Sequence, residues 1–131
     1  HYLIDLLIPT MEFFFKEMNI KTEIIRQSEL QTQQKKQELI IEMCKKLNAD
    51  SFVFGALGKN YAEEENFKRE GIDIYFQDYQ HPTYKQQWGG FEPYLSILDL
   101  LFNVGGDNAL DIIMENNIDK KYLEDKVWKK S

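Results

Sequence analysis

The sequence predicts an α/β fold, a short, mostly parallel sheet with helices on both faces in a three-layer, Rossmann-like order of elements. Three observations predict it. Ile20–Ile25, Phe52–Phe54 and Ile72–Phe76 are short alternating or unbroken apolar runs with strand character. Amphipathic stretches spaced at three and four residues lie between and around them. Parallel neighbours need a crossover connection, usually a helix, so this alternation favours a parallel sheet covered by helices.

Taken in order, Ile4, Ile8, Met11, Phe15 and Met18 form a helical stripe that Leu7 and Phe14 widen, with Pro9 as a kink or first-turn residue and Asn19 as the C-cap. The strand Ile20–Ile25 follows, then a polar loop over Gln27–Gln34. From Lys35 a second helix carries Leu39, Ile40, Met43, Cys44 and Leu47 on one face. Lys45 and Lys46 complement its dipole in the last turn. Phe52–Phe54 reads as a strand buried on both faces, ending in a loop at Gly55–Asn60. Ala62–Glu70 is a charged helix stopped by Gly71, and Ile72–Phe76 is the next strand. After a long loop, Gln77–Gly90, a helix is expected from Pro93 to about Asn103 and another from Asp107 to Asn116 or Asn117. The tail after Asp119, with five lysines, reads as a solvated end.

At 131 residues, 43% hydrophobic and 14% aromatic, the chain is expected to form a single α/β domain over residues 1–131 with a true core. Acidic residues outnumber basic ones, 22 to 16, and no basic face interleaved with aromatics is present, which argues against nucleic acid as a partner. The one cysteine, Cys44, supports neither a disulfide framework nor a thiolate metal site, and no apolar run is long enough to span a bilayer. A cytoplasmic protein is expected. His rather than Met at position 1 points to a tag remnant or an absent upstream part.

Four groups of residues invite chemistry. On the helix from Pro93, which is apolar around most of its circumference, Ser96, Asp99 and Asn103 form one polar stripe. A polar stripe on a buried helix must meet water, a ligand or partner groups. Asp99 then either orients a catalytic or ligand-binding group or ties the preceding loop to the helix. His81 is the natural acid/base candidate, and a His81–Asp99 pair would fix its tautomer. The alternative is an extended residue before Pro82 whose ring packs on Tyr84 or Trp88. Tyr84 and Gln86 share that loop. The Gly55–Lys59 segment, with Gly55 and Gly58, could rest a nucleotide phosphate on its amides at a strand end, although a strand-ending turn explains both glycines and neither the Walker nor the Rossmann spacing is present. Ser28 lines the end of the first strand or caps a turn. Phe13–Phe15 is core or interface. His81 has no second histidine or cysteine at ligand spacing, so no metal site is drawn, and no cofactor is implied.

From Ile20 onward the order of elements, with Ser28–Leu30, Tyr61, Phe67, Gly71–Ile72 and Tyr75–Gln77, resembles the WbqC-like proteins. So does the closing stretch His81–Pro82, Tyr84, Gln86 and Phe91–Asn103 followed by Gly105. The resemblance covers about residues 1–106 and implies the C-terminal part of a longer WbqC-like domain. The His, Pro, Tyr and Trp strand and loop with which such proteins usually open, and their later Arg–Asn–Arg element, are not in this sequence. It further implies a role in surface-polysaccharide (O-antigen type) biosynthesis, as a transferase moving an acyl or aminoacyl group onto a nucleotide-linked amino sugar. On that reading His81 is general base, Asp99 orients it, and Tyr84, Gln86 and Asn103 bind substrate. The second expectation is a non-catalytic module that binds a nucleotide sugar or a partner protein. Exposed strand edges and the Phe13–Phe15 patch favour self-association or a partner supplying the N-terminal half.

Overall fold

The computed structural model describes residues 2–117, and the lysine-rich tail expected after Asp119 lies outside them. The described residues form a mixed α/β structure of five α-helices and one two-stranded parallel sheet. They divide into two compact units, residues 24–79 and residues 2–23 with 80–117.

In the 24–79 unit, helix α2 (Lys36–Lys46) precedes strand β1 (Ser51–Phe54), and helix α3 (Glu64–Arg69) precedes strand β2 (Asp73–Phe76). The strands pair in register from Ser51–Asp73 to Phe54–Phe76. The Asp73 amide donates to the Asp50 carbonyl and the Gln77 amide to the Phe54 carbonyl, at 2.8 Å each, which extends the ladder at both ends. Both helices stop where the chain turns left-handed, at Asn48 (φ 52°) and Gly71 (φ 73°). The next amides reach back, Ala49 to the Cys44 carbonyl at 2.8 Å and Ile72 to that of Phe67 at 3.0 Å, closing the orphan carbonyls of the last turn.

The core of this unit is Cys44, Phe54, Phe67 and Ile72. Phe54 is its hub: the Phe67 ring meets it edge-on at 5.5 Å and the Phe76 ring stacks on it at 5.5 Å, with Phe52 and Tyr61 also in aromatic contact. Such pairs add to the ~1.5–3 kcal/mol gained by burying each large apolar side chain.

The expected strand over Ile20–Ile25 is not formed. These residues carry no regular secondary structure and pair with no strand among the described residues, and Ile24 and Ile25 are 40% exposed. Alternation alone does not make a strand, because its backbone groups need a ladder partner.

The other unit is helical. Helix α1 (Ile4–Glu17) carries Pro9 within it and ends at Asn19 (φ 54°), with the Ile20 amide on the Phe15 carbonyl at 2.8 Å. Of its expected apolar stripe, Ile8, Met11, Phe14 and Phe15 are half-buried and Met18 is buried, while Ile4 and Leu7 at the start of the helix are half exposed. The core contacts come from Phe14 and from Met18 just beyond the helix.

Helix α4 (Ile97–Val104) and helix α5 (Gly106–Met114) meet at Gly105, whose φ of 77° favours glycine. Gly106 is required by proximity, since a Cβ there would fall on the Glu17 carbonyl oxygen. Met18, Tyr84, Leu100 and Ala109 form this core. Helix α4 starts at Ile97 and not near Pro93, because Tyr94 adopts φ 60° and breaks the helical path. No described helix is long and apolar enough to cross a membrane.

Candidate functional site

The segment from His81 to Asn103 folds around Asp99. Asp99 lies in the first turn of α4, where its amide bonds to the Ser96 carbonyl at 3.0 Å. Its Oδ2 accepts the Tyr84 hydroxyl at 2.8 Å and the Gln86 side-chain amide at 3.0 Å, and its Oδ1 accepts the Asn103 amide at 3.1 Å. Asn103 also donates to the Asp99 carbonyl at 2.7 Å, one turn back along α4. All three donors are neutral. They satisfy the carboxylate and fix its rotamer without cancelling its charge.

Gln86 does more than reach Asp99. Its Nε2 donates to the Glu92 carbonyl at 2.9 Å, and its Oε1 accepts the Glu92 amide at 2.8 Å. One side chain thus pairs with both the N–H and the C=O of one residue and closes the segment between positions 86 and 92 into a tight loop. Gly89 (φ 76°) and Gly90 (φ 74°) make the turn that such a closure needs, and Trp88 stands beside them at 91% exposure.

In the structure both ring nitrogens of His81 meet main-chain groups. Its Nε2 accepts the Tyr94 amide at 3.1 Å, so the proton is on Nδ1, which lies 2.8 Å from the Pro82 carbonyl and donates to it. The tautomer is set by main chain rather than by the expected Asp99 carboxylate. The ring also contacts Tyr84, Phe91 and Tyr94, with centroids at 6.5, 5.9 and 4.8 Å. This matches the packing alternative for the ring on Tyr84.

A cleft of about 860 Å³ opens along this network, within the range of small-molecule sites. Asp99 and Asn103 line one side, the Gln86–Glu92 loop lines another, and Trp88, Leu95 and Phe102 supply apolar surface. Of the residues singled out in the sequence, Gln86, Asp99 and Asn103 line the cleft, while Tyr84 is buried and acts through Asp99. Ser96 is the exposed N-cap of α4, with no side-chain capping bond.

Ser28, Gly55 and Gly58 belong to the 24–79 unit. Ser28 is exposed in a 3-10 turn, Gln27–Glu29, beside the Arg26–Glu29 ion pair. The Gly58 amide is bonded to the Gly55 carbonyl at 2.9 Å, opening a 3-10 turn over Ala56–Asn60, and Gly58 is a glycine because a Cβ would strike the Phe54 side chain.

Trp88, Glu92, Leu95 and Phe102 line the cleft without having been picked out as site residues. Phe102 is misleading in the sequence, since an apolar helix reads as buried, yet here it is 87% exposed. Its signal was its spacing, three residues after Asp99 and hence on the same helical face.

A curated relative of Mycobacterium tuberculosis, described as the uncharacterized protein Rv1507c, is 36% identical over 91 residues, which is 69% of this chain and 39% of that protein. The chain therefore spans well under half the length of that relative. No solved structure matches it. The WbqC-like family profile matches residues 1–111, a span that holds both strands, the Asp99 network and the whole cleft, and the chain belongs to the WbqC-like protein family.

Proposed function

We propose that this chain binds the sugar portion of a nucleotide-linked amino sugar in the Gln86–Asn103 cleft. In this reading it serves surface-polysaccharide (O-antigen type) biosynthesis in the cytoplasm, as a transferase that moves an acyl or aminoacyl group onto that sugar. The observation that carries the reading is the fixed Asp99 carboxylate in a cleft flanked by the exposed rings of Trp88 and Phe102. A sugar offers hydroxyls for such a carboxylate and C–H faces for such rings. Family membership supports the biological setting.

Asp99, Gln86 and Asn103 hold the binding surface. His81 is the general base of this proposal and reaches a substrate proton through Nε2 once the Tyr94 amide releases it, a tightening and loosening common between free and liganded sites. The chain supplies two strands of a larger three-layer sheet, which the remainder of a longer WbqC-like domain or a second copy completes.

A non-catalytic sugar-binding module is the second reading, favoured by the main-chain engagement of both His81 nitrogens. Thermal shift and turnover with nucleotide sugars and acyl or aminoacyl donors, on this chain and on a form extended upstream, separate the two. For the enzyme, His81→Gln abolishes turnover and keeps the ligand-induced shift. For the module, no turnover occurs with either protein and the shift survives. If no sugar shifts either form, both readings fall.

A further inference from the structure

The cleft has a charge character that the sugar reading alone does not require. Among the described residues its lining includes two carboxylate residues, Asp99 and Glu92, and no lysine or arginine. Asp99 is held by a hydroxyl and two carboxamides, so its position is fixed while its negative charge stays uncancelled. Trp88 and Phe102 expose nearly their whole side chains along the same cleft. Aromatic faces attract cations through their quadrupole and offer nothing to a phosphate. Among the described lining residues a phosphate would meet Asp99 and Glu92 and no cation to offset them, whereas an ammonium gains from both kinds of wall.

We infer that the cleft between the Gln86–Glu92 loop and α4 is an ammonium subsite, selecting a ligand with a free, protonated primary amine and excluding phosphate. The inference rests on the sugar-binding reading for the identity of the ligand and goes beyond it in fixing which group is recognised. A sugar already acylated on nitrogen is then a poor ligand, because its amide carries no charge. The diphosphate of a nucleotide sugar stays outside the cleft.

The test is an NMR titration of the ¹⁵N-labelled chain at pH 6, following the Trp88 indole resonance, assigned with Trp88→Phe. The probes are glucosamine, glucose, N-acetylglucosamine, ethanolamine and inorganic phosphate. The expected result is that glucosamine and ethanolamine move the resonance, glucosamine binds at least roughly fivefold more tightly than glucose or N-acetylglucosamine, and phosphate does nothing. Glu92→Gln, an exposed neutral isostere, is expected to weaken glucosamine about threefold and leave glucose unchanged. Equal binding of the three sugars, or binding of phosphate, overturns the ammonium subsite and leaves the sugar reading standing. Ethanolamine binding without any sugar binding does the reverse. Silence from all probes overturns both.

Discussion

The two compact units put their aromatic residues to opposite uses. In residues 24–79 the rings turn inward on Phe54, and Phe67 is fully buried. In the unit holding α1, α4 and α5, Trp88, Tyr94 and Phe102 face outward at 91, 79 and 87% exposure. Polar groups divide the same way. The first unit pairs charges on its surface, Arg26 with Glu29 and Lys45 with Glu70, while the second gathers hydroxyl and amide donors around one half-buried carboxylate. Both units have a core, and the second also holds Trp88 and Phe102 exposed beside a cleft where a ligand can use them. Substitutions in the two units should therefore differ in what they damage.

The sharpest contrast comes from Phe67→Ala. It removes a ring with no exposure from the centre of the first unit, and a loss of about 3–5 kcal/mol is expected in denaturant unfolding, read by hydrogen exchange at the β1 and β2 amides. In the other unit, Asp99→Ala removes the carboxylate that accepts from Tyr84, Gln86 and Asn103, while Gln86 and Asn103 keep their main-chain acceptors. It should cost about 1–3 kcal/mol and abolish the response of the Trp88 resonance to ligand.

Acidification sharpens the comparison further. Glu42 accepts the amides of Gln34 and Gln33 at 2.9 Å each, and these bonds, aided by Lys46, hold its carboxyl below the usual glutamate range. A folded-state pKa below the unfolded one gives stability that is present above the unfolded value and lost as pH falls through the folded value. Glu42→Gln should flatten that acid loss within residues 24–79 when midpoints are compared between neutral and acidic pH.

The smallest stability effect is expected from Trp88→Ala, within about 0.5 kcal/mol because so little of the side chain is buried, together with loss of ligand binding in the cleft. A large destabilisation by Trp88→Ala would break the distinction between the two units.

Much of the first unit was legible because its signals are local. The apolar face of α2, the left-handed stops at Asn48 and Gly71, and the runs that became β1 and β2 all rest on neighbours in sequence. Ile20–Ile25 misled for the same reason: alternation is local, while a strand depends on a partner elsewhere. The Asp99–Asn103 pair was visible as an i, i+4 step, and Tyr84 and Gln86 lie in the loop that bonds to Asp99. What the sequence could not show is how that network is wired. Tyr94 turning left-handed places its amide on His81, and Gln86 folds back on Glu92, both contacts that depend on how a loop closes in space.

The Gln86–Glu92 contact also acts as a ruler. A similar pairing with the N–H and C=O of one residue occurs where Asn117 holds Gln80, with its Oδ1 accepting the Gln80 amide at 2.9 Å and its Nδ2 donating to the Gln80 carbonyl at 3.1 Å. In both places a carboxamide of fixed length measures the gap that the backbone must span. Between positions 86 and 92 this sets how many residues the loop can hold, so adding or deleting one there moves the Trp88 indole off the cleft even if every side chain is kept. Variation in this part of the protein is therefore expected to change letters before it changes length.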